Sequence, residues 1–262
     1  MTEIHLQFNK KIYFASDFHL GSPDKESSLE RERRIVRWLE SVKKDAQVIF
    51  LVGDIFDFWF EYKNVIPKGF IRLQGKLAEL TDEGIEIIFF TGNHDMWMFD
   101  YFDTELGIKV YREPQEYLVK SETDTSIFIG HGDGLGPGDY SYKLLKKVFE
   151  NRLCRFAFNW LHPDIGMFLA HKWSGSRKKE DRIKKELQFK GDDEWLLSYA
   201  KEVEAKKHHD LYIFGHRHLL LDLKVAEKSR YINLGEWCYD DESSNNFAVF
   251  DGKDISVIKF KS

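Results

Sequence analysis

Three short apolar runs, Ile12–Ser16, Val48–Val52 and Ile85–Phe90, alternate with two stretches whose apolar residues recur at helical spacing. The first stretch carries Ile35, Trp38, Leu39 and Val42; the second carries Phe70, Leu73, Leu77 and Leu80 and is closed by Gly84. Short continuous apolar runs read as strands buried on both faces, and helical spacing reads as amphipathic helices that cover them. The order is βαβαβ, which favours a parallel sheet with right-handed crossovers. In such a sheet the carboxyl ends of the strands share one rim, and ligands bind there.

The runs also end alike. Ile12–Ser16 leads into Asp17-Phe18-His19, Val48–Val52 into Gly53-Asp54, and Ile85–Phe90 into Thr91-Gly92-Asn93-His94-Asp95. Further on, Ser126–Ile129 leads into Gly130-His131, and Leu211–Phe214 into Gly215-His216-Arg217-His218. Asp, Asn and His supply hard oxygen and borderline nitrogen ligands, with no thiolate among them. Side chains alternate along an extended chain, so Asp17 and His19 can share one face, as can His216 and His218. Asp54 has two oxygens and can bridge two cations. Taken singly, each motif has a plain structural reading: Gly-Asp caps helices and Gly-Asn makes turns. His162 and His171 read as helix-face or capping residues, and His208-His209 as solvated. Five strand ends of one kind, in order, instead predict a site for two divalent cations. The carboxylate share favours Mn²⁺, with Fe²⁺ and Zn²⁺ also compatible. Two ions about 3.5–4 Å apart can clamp a phosphoryl oxygen. His94 offers a proton or a positive charge near neutral pH, and Asp95 is placed to orient it.

Beyond these runs, Val110–Val119 and Ser126–Ile129 read as a β pair around a polar turn at Glu122–Thr125. From about 135 to 205 only helical spacing is found, with Leu145, Val148, Phe149, Leu153, Phe156 and Trp160 as an apolar stripe. Strands resume at Leu211–Phe214, and Tyr231–Leu234, Asn246–Phe250 and Ile255–Phe260 close the chain, the last two across a turn at Asp251-Gly252. The expectation is an α/β sandwich: one domain over 1–262 with a helical cap insertion at about 135–205. A formal net charge of −5 argues against a nucleic-acid partner. Met1–Lys11 has no apolar h-region, and no run reaches the roughly eighteen apolar residues of a membrane span. Two cysteines far apart, Cys154 and Cys238, fit a thiol-reducing cytoplasm.

The ordered set Asp17-x-His19, Gly53-Asp54, Gly92-Asn93-His94-Asp95, Gly130-His131 and Gly215-His216-x-His218 resembles the calcineurin-like metallophosphoesterase superfamily. The resemblance implies a four-layer αββα sandwich. It implies one metal on Asp17, His19, Asp54 and His218, and a second on Asp54, Asn93, His131 and His216. It also implies His94 beside the phosphate, as charge stabiliser or leaving-group acid. A narrower resemblance rests on Gly53-Asp54-Ile55-Phe56-Asp57-Phe58-Trp59, on His131-Gly132-Asp133 with Leu135, Asp139 and Tyr142 downstream, and on the cap. These are similar to the UDP-2,3-diacylglucosamine diphosphatase family of lipid A biosynthesis. That resemblance implies hydrolysis of a lipid-linked nucleotide sugar at its pyrophosphate, giving UMP and 2,3-diacylglucosamine 1-phosphate (lipid X), with the acyl chains in the cap. Substrate contacts would then come from Asn93, His94, Asp139 and Tyr142. Ser176 and Arg177 face the diphosphate or belong to a solvated charge run. A lipid substrate also implies peripheral contact with the cytoplasmic face of the inner membrane, through apolar and basic residues of the cap. Well-known members carry arginine where this chain has His94. The alternative is therefore a phosphoesterase acting on another phosphodiester, nucleotide or phosphoprotein. A silent scaffold would have lost ligands or His94, and this chain has lost neither.

Overall fold

The computed structural model describes residues 1–137, 140–176, 188–238 and 244–261. The first apolar runs become strands β2 (Lys11–Ala15), β3 (Ala46–Val52) and β4 (Glu86–Phe90), all parallel, with β5 (Lys109–Tyr111) parallel beside β4. The antiparallel hairpin β11 (Asn246–Phe250) and β12 (Ile255–Lys259) completes this sheet next to β2. The second sheet runs in the order β1 (Thr2–His5), β6 (Gln115–Lys120), β7 (Thr125–Ile129), β8 (Leu211–Phe214), β10 (Ser229–Leu234) and β9 (Leu220–Ala226). Its centre, β7–β8–β10, is parallel.

Strand alternation builds the layers. Ile12, Phe14, Val48, Phe50, Ile88 and Phe90 point inward and meet Val119, Ile127, Ile129, Ile213 and Ile232 of the other sheet. Their neighbours Tyr13, Ala15, Ile49, Leu51, Ile87 and Phe89 point the other way, against helices. Both faces are dry, which is why these strands read as continuous apolar runs. Helix α1 (Lys25–Val42) lays Ile35, Trp38, Leu39 and Val42 on that outer face, beside α2 (Ile71–Asp82) with Leu73, Leu77 and Leu80. Asp24 caps α1, accepting from the N–H groups of Glu26 and Ser27 at 2.9 Å each.

Two buried carboxylates cap helices other than their own. Glu32 of α1 accepts from Arg72 and Leu73 N–H at the start of α2. Glu61 accepts from Phe99, Asp100 and Tyr101 N–H, where α3 (Tyr101–Leu106) begins, and from the indole of Trp59.

Several expectations change. Val110–Val119 is not one strand: β5 lies in the first sheet and β6 in the second, and Arg112–Pro114 carries the chain between them. Pro114 cannot donate to a ladder and marks the break. Strand β9 alternates exposed and half-buried residues, and its Leu221, Leu223 and Val225 face a helix. The helical stretch expected as one insertion divides in two. Helices α4 (Tyr140–Glu150), α5 (Arg152–Asn159) and α6 (Pro163–Ser176) stand over the rim. Helix α7 (Trp195–Glu204) instead packs Leu196, Leu197 and Ala200 on Phe128, Tyr212, Phe214 and Tyr231, supplying the fourth layer of the αββα sandwich. His209 is buried against Phe128 and Tyr212 rather than solvated. Among the described residues no helix is long and apolar enough to cross a membrane.

Glu61→Ala would strand the N–H groups it satisfies. The expected cost is about 2–3 kcal/mol, read as a lower urea midpoint with metal content unchanged.

Candidate metal centre

Each expected ligand follows a strand end on the same rim. β2 leads to Asp17 and His19, β3 to Asp54 and β4 to Asn93, all from the first sheet. β7 leads to His131, and β8 to His216 and His218, all from the second. Backbone bonds zip the loops together: Asp17 N–H donates to Gly53 O at 3.0 Å, and His19 N–H to Asp54 O at 2.8 Å.

Asp17, His19, Asp54 and His218 bring one ligand atom each to within 4.8 Å of one another, and Asp54, His131 and His216 form a second such group. Asp54 belongs to both. His218 Nε2 lies 3.2 Å from Asp17 Oδ1 and 3.0 Å from His19 Nε2, so both rings aim at one point. Asp54 Oδ2 lies 3.7 Å from His19 Nε2 and 3.3 Å from His131 Nε2. The other carboxylate oxygens are spoken for. Asp17 Oδ2 accepts from Ser16 Oγ and His216 N–H, and Asp54 Oδ1 accepts from His94 N–H.

What is left over fits cations. Asp17 Oδ1, Asn93 Oδ1 and His131 Nε2 are buried without a hydrogen-bond partner. His131 Nδ1–H donates to Val52 O at 2.8 Å, which orients the ring and turns Nε2 toward Asp54 Oδ2. Buried orphan acceptors are costly unless something electropositive meets them.

The local backbone is built for this convergence. Asp17, His19, Asp54, His216 and His218 all adopt positive φ, between 43° and 68°. Such conformations cost on the order of 1–3 kcal/mol each and cluster at functional sites. The small residues before the ligands make room. A Cβ on Gly92 would lie 2.2 Å from Asp54 Oδ1, and one on Gly215 2.5 Å from Asp17 Oδ2.

The charges are strongly coupled. Burial opposes the Asp17 charge, yet the His19 and His218 imidazoles hold its carboxyl well below the usual range. Burial opposes the Asp54 charge too, and His131 and His94 pull its pKa down. Burial alone would push His131 down, but Asp54 raises it to about 10. Desolvation and the positive His131 ring push the half-buried His216 down to about 4.

His94 lines a cavity of about 290 Å³ next to Asn93, Phe58, Trp97, Phe158 and Leu169. Its roof is the cap. The Trp97 indole donates to Phe149 O at the end of α4 at 3.1 Å and stacks on Phe158 of α5. Lys146 of α4 pairs with buried Asp133 at 2.9 Å, two residues after His131.

Asp95 requires a correction. It does not orient His94. Its carboxylate accepts from Ile55, Phe56 and Gly92 N–H, pinning the two ligand loops to each other. Burial and the Asp54 charge push its pKa up to about 7. Neighbours in a tight turn diverge, so sequence adjacency misled here. The group beside His94 is Asp57. His94 Nδ1–H donates to Asp57 O at 2.9 Å, and Asp57 Oδ1 lies 3.6 Å from that nitrogen and 3.7 Å from His19 Nδ1. The Asp54-x-x-Asp57 spacing in the aromatic loop was the available signal. Asp139 and Arg177 lie outside the described residues. Tyr142 and Ser176 fall on α4 and at the end of α6, with side chains outside the description.

A family profile described as calcineurin-like phosphoesterase matches residues 10–220. The chain belongs to the calcineurin-like phosphoesterase family. Its match and the buried His/Asp cluster fit a metal-dependent hydrolase with a two-cation centre. Within this phosphoesterase family, the chain is 39% identical over 259 residues to a UDP-2,3-diacylglucosamine hydrolase of Porphyromonas gingivalis, covering 92% of this chain and 94% of that protein. It is 25% identical over 229 residues to the enzyme of the same name from Ectopseudomonas mendocina, covering 86% and 90%. For the Haemophilus influenzae enzyme the figures are 23% over 231 residues, covering 87% and 91%.

Divalent cations that fill this site should raise the melting temperature. The gain is about 2.7 kcal/mol at a hundredfold excess over Kd, and a chelator should reverse it. Gly92→Ala, by displacing Asp54, should abolish most of that shift in differential scanning fluorimetry while leaving a folded baseline.

Proposed function

We propose that this chain hydrolyses the pyrophosphate bond of UDP-2,3-diacylglucosamine, releasing UMP and 2,3-diacylglucosamine 1-phosphate. One observation carries the reading. A mostly apolar cavity of about 290 Å³ opens between the cap and the Asn93–His94 edge of the metal cluster. A substrate with a charged middle and apolar tails needs that juxtaposition. The 39% identity to a protein named for this reaction supports it.

Asp17, His19, Asp54 and His218 would hold one cation; Asp54, Asn93, His131 and His216 would hold the other. Mn²⁺ suits this oxygen-rich set best, ahead of Fe²⁺ and Zn²⁺. Bound cations would supply charge for the phosphoryl oxygens and a water nucleophile near neutral pH. Asp54 would serve both cations, because its carboxylate belongs to both groups of ligands. His94, held by the Asp57 carbonyl, stabilises the developing charge or protonates the departing phosphate. Phe58, Trp97, Phe158 and Leu169 exclude water from the cavity and cover acyl chain. Each buried CH₂ adds about 0.8 kcal/mol, so a short acyl segment dominates binding. Hydrolysis breaks one P–O bond of the pyrophosphate and adds water across it. The cap belongs to the same single domain. Its exposed apolar residues suit peripheral contact with the cytoplasmic face of the inner membrane, where the substrate resides.

With Mn²⁺ and this substrate, purified protein should release UMP. Fast cleavage of a generic phosphodiester with no UMP from the lipid would sink the assignment. Asp54→Ala should lose both cations and nearly all turnover, read by metal analysis and by UMP release. His94→Ala should keep its metals and slow the chemical step about 10²- to 10⁴-fold.

A further inference from the structure

Between the candidate ligands His216 and His218 stands Arg217, which is more deeply buried than either. Its side chain meets Glu194, the residue just before α7. Arg217 Nε donates to Glu194 Oε1 at 2.6 Å and Nη2 donates to Oε2 at 3.1 Å. Both residues are at most 3% exposed. Nη2 also donates to Gln188 O at 3.2 Å, and the guanidinium lies 4.4 Å from the centroid of the Trp195 ring. Glu194 occupies the cap position of α7, yet its carboxylate makes no cap bond there. It serves Arg217 instead.

The same turn of chain presses on the other ligand loop of the second sheet. A Cβ on Gly132, next to His131, would lie 2.8 Å from Leu196 Cδ1, and one on Gly136 would lie 2.5 Å from Trp195 O. Residues 194–196 therefore touch both loops that carry candidate ligands from this sheet. An ion pair buried this deeply adds little net stability over apolar residues of the same size. A two-pronged guanidinium–carboxylate pair does fix direction, because one rotation breaks both bonds. Direction is what this loop requires. His216 and His218 hold φ of 68° and 54°, conformations that persist only where the surroundings enforce them. Asn233 Nδ2 donates to Gly215 O, and His216 N–H donates to Asp17 Oδ2 at 3.0 Å. Those bonds restrain the loop backbone, and Arg217 restrains it from the side of α7.

We propose that Arg217, held by Glu194, is a positioning residue of the metal centre: the pair fixes the aim of His216 and His218 and so sets the affinity for both cations. Arg217 stands between one candidate ligand of each cation, so the effect falls on both. The proposal rests on the reading of the rim as a two-cation centre, and not on which phosphate ester is cleaved.

The test compares two readouts on the full chain: the urea midpoint in the presence of a chelator, and Mn²⁺ binding by isothermal titration calorimetry. R217M leaves the Glu194 charge buried alone and should lower the midpoint. E194L/R217M removes both charges and should recover most of that loss. Its Mn²⁺ affinity should nevertheless stay about 10- to 100-fold below that of the unmodified chain, the scale for losing a group that orients a metal ligand. R217K keeps the charge but not the fork. Its midpoint should stay close to that of the unmodified chain while its affinity falls about tenfold. E61A is the control, with a lower midpoint and Mn²⁺ retained. Recovery of both midpoint and affinity in E194L/R217M would make the pair an element of the fold only and overturn the proposal. Full affinity in R217K would overturn it as well, and decides the question should the double variant not fold. An unmodified chain that binds no Mn²⁺ would overturn the two-cation reading, and this proposal with it.

Discussion

Two carboxylates and four imidazoles lie buried or half-buried within a few ångströms of one another, and the rest of the molecule holds them there. An arrangement like this is costly in a folded protein. Each group loses water, and several adopt backbone conformations that ordinary residues avoid. The imidazoles partly neutralise Asp17 and Asp54, which is why these carboxyl groups stay ionised despite complete burial. What charge pairing does not cover, fixed backbone donors do. Asp95 is the clearest case: an acid at the centre of three N–H bonds, holding the loops that carry Asp54 and Asn93.

The sandwich makes such a cluster affordable. Its two sheets are packed over a dry interface of aliphatic and aromatic side chains, so the rim is anchored on a rigid base. Glycines let carboxylates approach neighbouring backbones closely, and buried glutamates finish helices that have no cap of their own. Contacts that join the cap to this base include the Trp97–Phe149 bond, the stacking of Trp97 on Phe158 and the Lys146–Asp133 pair. Each of these begins within three residues of His94 or of the candidate ligand His131. The position of the roof and the geometry of the cluster are therefore linked.

Much of this was legible in the residues. Continuous apolar runs located β2, β3, β4, β8 and β11 because both of their faces are covered. The strand-end residues could be gathered because a parallel sheet brings its carboxyl ends to one side. Other features depend on neighbours the local pattern does not encode. Val110 and Val119 look continuous, yet the chain crosses between sheets at Pro114. Helix α7 has the same periodicity as the cap helices, and spacing alone does not say which surface a helix covers. Adjacency points to Asp95 as the partner of His94, whereas the turn sends its carboxylate to backbone N–H groups and leaves Asp57 beside the imidazole.

One feature of the topology reaches beyond chemistry. Asp17, His19, Asp54 and Asn93 hang from one half of the sandwich, and His131, His216 and His218 from the other. Cations held by these residues would act as rivets across the seam between the two ladders, adding to the dry packing beneath. Scarcity of the cation would then be felt as slackness at the rim, beneath the roof that the cap forms.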